Sequence, residues 1–240
     1  GSWHGGWLPL LFDENTVGGG VMFGASVGAI SAMTVSQLGD VTADEAFEIL
    51  LLSGAASGAG AGLGLIVAPD GRSTRAALVE AVGLSGIVAA SLIAPRTSYE
   101  PRDAGLISLA TAAGAWTGFA LAPGDRDETR VGAAVFGASL GALVGVTASQ
   151  LAPLDLGDQF EAATYTAAGN AIGGGLAALV HADESATRLA FGIAGVSGLA
   201  AGLGAARFTT YSSNDRAFSA VVGTLGLWHV LWSPALLLDT

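Results

Sequence analysis

The chain contains no cysteine and no lysine, and its nine basic residues are all arginine. The first absence excludes disulfides, thiolate metal sites, iron–sulfur clusters and cysteine nucleophiles. The second excludes Schiff-base chemistry. Three histidines and two methionines leave little for metal ligation, so neither a metal nor a cofactor is expected. Charge is scarce too, at 12% of residues against ~25% in an ordinary soluble domain. The net charge of −11 lacks the basic surface that phosphate contacts need, so nucleic acid is not an expected partner. The opening Gly1-Ser2-Trp3-His4 carries neither a basic n-region nor an apolar h-region.

What the chain does have is apolar residues, 51% of the total, and 37 glycines. Its charges fall in short clusters, and the arginines lie only there. Between the clusters run eight apolar stretches, approximately 17–38, 43–68, 73–94, 101–122, 129–151, 157–180, 186–206 and 214–232. As a helix, a stretch of ~20 residues spans the ~30 Å hydrocarbon core of a bilayer.

The ends of these stretches predict helices rather than strands. Thr42-Ala43-Asp44-Glu45 reads as a capping box, Pro101 as a first-turn proline, and Asp158 and Asn214 as N-caps. Pro69 and Pro123 follow Ala68 and Ala122, where helices are expected to stop. Alanine favours helix, and the period-2 alternation of a β-barrel is missing.

The chain repeats. Gly24-Ala25-Ser26-Val27-Gly28 recurs as Gly137-Ala138-Ser139-Leu140-Gly141, Ser36-Gln37-Leu38 as Ser149-Gln150-Leu151, and Phe47-Glu48 as Phe160-Glu161, each 113 residues on. Tyr99, Asp103 and Trp116 match Tyr211, Asp215 and Trp228 at 112. Thr16, Thr74, Thr129 and Thr187 mark a half-period, so the elementary unit is a helical hairpin of about 56 residues. The expected organisation is an incomplete helix and linker at 1–16, a four-helix unit at 17–128 and a second at 129–240. Trp3-His4 and Trp7 match Trp228-His229 and Trp232. The chain therefore reads as starting partway through a helix, as a piece of a longer repeat protein.

Glycines recur four apart within the stretches: Gly20, Gly24 and Gly28; Gly54, Gly58 and Gly62; Gly137, Gly141 and Gly145; Gly198 and Gly202. That spacing puts each set on one helix face, where missing side chains let backbones approach. In water a mid-helix glycine costs about 1 kcal/mol relative to alanine. Such stripes therefore point to close packing in a membrane. Trp3, Trp7, Trp116, Trp228 and Trp232 are the expected interface anchors. Arginines divide four and five between alternate loops, so no orientation follows.

Candidate chemistry is thin. The two G-x-S-x-G copies lie inside helices, not at the strand-to-helix turn of a nucleophile elbow, and read as packing serines. Gly58, Gly60, Gly62 and Gly64 have no strand before them, as a dinucleotide site requires. Glu80, inside a span, is a functional candidate by default or a headgroup contact. Glu48 and Glu161 read as partners of helix N-termini. Gln37, Gln150 and Asn170 are candidate interhelical hydrogen-bond partners. His4 and His229, beside tryptophans, read as structural rather than as a metal pair.

The pattern resembles uncharacterised Gly/Ala-rich multi-span membrane repeat proteins of GC-rich bacteria, a resemblance that brings no activity with it. The expectation is an all-α integral membrane bundle of about eight helices, built from four helical hairpins with glycine-zipper packing. It is not expected to be an enzyme. The expected role is a structural or assembly subunit, surrounded by membrane lipid, that pairs at its repeat ends as a homo-oligomer or within a larger complex. The alternative is a transporter or channel built from tandem repeats.

Overall fold

The computed structural model describes residues 42–226 other than 125, 152, 153, 207, 211, 213, 216 and 220, together with Ala25, Ser26 and Ile30. Among the described residues six uninterrupted α-helices follow one another: α1 (Ala43–Val67), α2 (Arg72–Ile93), α3 (Pro101–Ala120), α4 (Asp127–Leu151), α5 (Leu156–Leu179) and α6 (Glu184–Ala205). One 3-10 turn, Ala94–Arg96, follows α2. There is no strand among the described residues. Of the eight expected helices, the stretch 17–38 lies outside the described residues except at Ala25, Ser26 and Ile30. The stretch 214–232 is described only in part.

Caps set the helix starts. The Thr42 hydroxyl accepts from the Glu45 amide at 3.2 Å, and the Glu45 carboxylate accepts from the Thr42 amide at 2.7 Å, the expected capping box. Pro101 occupies the first turn of α3, where its missing N–H costs nothing. Asp158 is not the N-cap of α5. Asp155 is, taking the Asp158 amide at 2.9 Å, and Asp158 returns the bond to the Asp155 amide. Asp155 directly precedes the helix, so its carboxylate reaches first-turn amides that have no intrahelical partner. The same reciprocity links Ser212 with Asp215, which leaves Asn214 inside the helix start rather than capping it.

Helices pack in antiparallel pairs, α1 with α2, α3 with α4 and α5 with α6. In the first pair Gly64 lies against Arg75, Gly60 against Leu78 and Gly86 against Ala56. The pair α3–α4 crosses the expected unit boundary at 128/129. A second junction joins neighbouring pairs, with α1 packed extensively on α4 and α3 more sparsely on α6.

The interior is made of small residues. Ala76, Ala90, Ala94, Ala120 and Ala162 are buried, and the largest fully buried side chains among the described residues are Glu48 and Val79. Bulky apolar groups lie outside: Phe47, Leu50, Val88, Leu92, Val144, Ile172 and Leu176 are exposed. Four helical segments, Ala43–Val67, Arg72–Arg96, Asp127–Leu151 and Glu184–Ala205, are long and apolar enough to cross a membrane. Helices α3 and α5 are not among them. Asp103 and Arg102 dilute the first, and Asp158, Glu161 and Asn170 the second.

Candidate functional site

The glycines define the helix contacts. A Cβ added to Gly114 would strike the Gly137 carbonyl oxygen, and one added to Gly137 would strike that of Gly114. Gly141 meets Ala110 and Gly145 meets Ile107 in the same way. In the pair α5–α6, Gly198 meets Tyr165, Gly202 meets Ala162, Gly169 meets Ala194 and Gly173 meets Ala190. Gly60, Gly118 and Gly173 hold equivalent places against Leu78, Ala133 and Ala190, as do Gly86, Gly141 and Gly198 about two turns further along.

Of the expected packing residues, Gly58 meets Ser139, and Gly62 meets Gly132 and Phe136. These two face α4, not α2. The face toward α2 belongs to Gly60 and Gly64, which the spacing-of-four reading passed over. Residues two apart on a helix point to nearly opposite sides, so the run Gly58, Gly60, Gly62, Gly64 gives α1 two close-packing faces. Gly54 makes no such contact, because nothing lies within 4 Å of a Cβ placed there. It belongs to the same stripe as Gly58 and Gly62 but is exposed. Gly20, Gly24 and Gly28 lie outside the described residues. So do Trp3, Trp7, Trp228 and Trp232, and His4, His229 and Gln37.

Glu48 is buried near the start of α1. Its carboxylate accepts from the Tyr99 hydroxyl at 2.9 Å and from the Thr97 hydroxyl at 2.5 Å. It therefore ties the 97–100 connection to α1, and its partners are hydroxyls rather than a helix N-terminus. Burial pushes the Tyr99 phenol above its ordinary value, and the hydrogen bond and negative charge of Glu48 push it further. Glu161, at the repeat-related place on α5, is likewise buried and accepts from the Thr209 hydroxyl at 2.6 Å. Sequence spacing aligned the two glutamates but carried no sign of their distant hydroxyl partners. Glu80 is buried on α2, not extended to the surface.

Gln150 binds the backbone of Ser98, its amide donating to the carbonyl oxygen at 3.1 Å and its oxygen accepting from the N–H at 3.4 Å. It thus anchors a connection rather than bridging two helices. Asn170 does bridge helices, since its Oδ1 accepts from the Trp116 indole at 3.0 Å. The Trp116 ring also meets Phe191 edge-on, with centroids 5.9 Å apart, and stacks near Phe119 at 6.1 Å. At the end of α4 away from Gln150, Arg130 and Arg188 both reach Glu184, at 3.1 and 3.3 Å.

Ser139, from the second G-x-S-x-G, donates to the Val135 carbonyl oxygen at 2.9 Å within α4. That position has neither a strand nor a sharp turn before it. No group of three or more His, Cys, Asp or Glu suited to a metal ion is present among the described residues. What the arrangement offers chemically is close backbone contact, two buried carboxylates held by hydroxyls, and apolar space beside Trp116. No protein-family model, curated protein or solved structure matches the chain.

Proposed function

We propose that the chain is a structural or assembly subunit embedded in a membrane, an all-α bundle of eight helices packed by glycine zippers, and that it joins further copies through α5 and α2. Bulky side chains outside and small ones inside suit lipid, where close packing rather than hydrophobic exclusion holds helices together.

One observation carries the pairing. In the junction of α1 with α4, Gly58, Gly62 and Leu65 meet Ser139, Gly132 and Phe136. By the 113-residue repeat, α5 carries Ala171, Gly175 and Ala178 at the first set of places, and all three are exposed. By the half-period, α2 carries Ala77, Ala81 and Leu84 at the second set, again exposed. Each end thus presents one half of a junction that the chain already forms internally.

The absence of native cysteine makes the test clean. A chain carrying both Ala77→Cys and Gly175→Cys, oxidised in its own membrane, is expected to give a ladder of multimers, while each single variant gives none. A lone monomer in mild detergent together with no ladder would defeat the proposal.

The second reading is a transporter or channel, favoured by the buried, repeat-related Glu48 and Glu161. Flux through liposomes that Glu48→Gln abolishes would support it over the first.

A further inference from the structure

The two junctions between helix pairs are equivalent by position but not by packing. In the contact register set by Gly60 and Gly118, Gly58 of α1 corresponds to Trp116 of α3. In the register of Gly141 and Gly198, Ser139 of α4 corresponds to Val196 of α6. Gly58 and Ser139 touch, a Cβ on the glycine lying 2.5 Å from Ser139 Oγ. At the second junction an indole stands where that glycine was. Ala120 and Gly192 still meet at one end, but Trp116 wedges α3 from α6 beyond them. A cavity of about 270 Å³ results, lined by Leu109, Trp116, Thr166, Asn170 and Val196 among others. Ala113, Thr117 and Val196 also line an adjoining apolar groove of about 600 Å³, floored by the close-packed glycines of α3 and α4.

The wall of the cavity has a specific polarity. The Thr117 and Thr166 hydroxyls donate back to Ala113 and Ala162 in their own helices. The Trp116 indole, a donor only, requires Asn170 to turn its oxygen toward it. The Asn170 amide hydrogens then have no acceptor among the described residues. Asn170 is half-buried beside these apolar groups, where an amide without a partner is costly. We infer that this cavity binds a lipid-soluble molecule with an apolar body and one carbonyl oxygen, the oxygen accepting from the Asn170 amide and the body lying against Trp116 and along the groove. This inference is independent of how copies of the chain associate.

The test uses the full chain in detergent micelles with Trp3, Trp7, Trp228 and Trp232 replaced by phenylalanine, leaving Trp116 as the reporter. Decylubiquinone, a carbonyl-bearing apolar probe, is titrated in, and decylbenzene serves as a competitor without the carbonyl. The expected result is saturable quenching that decylbenzene does not displace at equal concentration. Asn170→Leu is expected to weaken it about tenfold, the loss of one buried hydrogen bond. Val196→Phe, which fills the cavity, is expected to abolish saturation while the helical circular dichroism and melting temperature stay unchanged. Quenching that rises linearly without saturation, equal displacement by decylbenzene, or an unchanged affinity in Asn170→Leu would each overturn the inference.

Discussion

Gly114 on α3 and Gly137 on α4 face one another backbone to backbone, each leaving no room for a Cβ on the other. The atoms in the way are carbonyl oxygens and α-carbons, which cannot swing aside as a side chain would. Substitution must therefore move a helix, and overpacking of this kind costs about 1–3 kcal/mol. Gly137→Ala is expected to lower the thermal midpoint of the purified protein accordingly. Gly54→Ala is the control and has the opposite sign. That position is open and helical, so alanine is expected to stabilise by up to about 1 kcal/mol through helix propensity. Equal effects at the two sites would show that these contacts do not hold the pairs together.

Glu48 and Tyr99 give a second prediction. Tyr99→Phe removes one of the two hydroxyls donating to a buried carboxylate, a loss of about 1–2 kcal/mol. The native phenol binds its proton more tightly than the unfolded one, whose pKa is about 10. Its contribution is therefore complete below pH ~10 and fades as pH rises above that value. Denaturation profiles from pH 8 to 11 are expected to show an alkaline loss in the native chain that Tyr99→Phe lacks.

Asp183 caps α6, accepting from the Ala186 amide and the Ser185 hydroxyl, both at 2.8 Å. The amide bond and then the hydroxyl hold its carboxyl below the ordinary value. The cap is thus intact above the unfolded pKa and is lost as pH falls through the lower folded one. Amide exchange at residues 184–188 is expected to speed up on acidification, and Asp183→Ala to show the fast exchange already at neutral pH.

His181 sits in the turn between α5 and α6 with φ of +52°, a left-handed conformation. A side chain there costs roughly 1–2 kcal/mol that glycine avoids. His181→Gly is expected to raise the thermal midpoint, and a fall would show that the imidazole makes a contact outweighing this strain.

Much of the fold was legible in the sequence. The helix ranges, the Thr42–Glu45 box and the proline at the head of α3 were readable because caps are local, depending on residues three apart. The 113-residue repeat marked Glu48 and Glu161 as a pair because identical neighbours recur around them. Local signals did not reach the partners of those carboxylates, since Thr97 and Tyr99 lie about fifty residues from Glu48. Glycine spacing announced that helices approach closely but not which ones, as a stripe fixes a face and says nothing about its occupant.

By itself the sequence determined six described helices, their apolar character and the placing of small residues along them, because these follow from propensity, capping and periodicity. Only the tertiary structure decided that Gly58 and Gly62 meet α4 while Gly60 and Gly64 meet α2, that Gly54 meets nothing, and that Trp116 stands where its counterpart is a glycine. Those outcomes depend on which helix lies across each face and at what register, and that is settled by packing all the helices together rather than by any one segment.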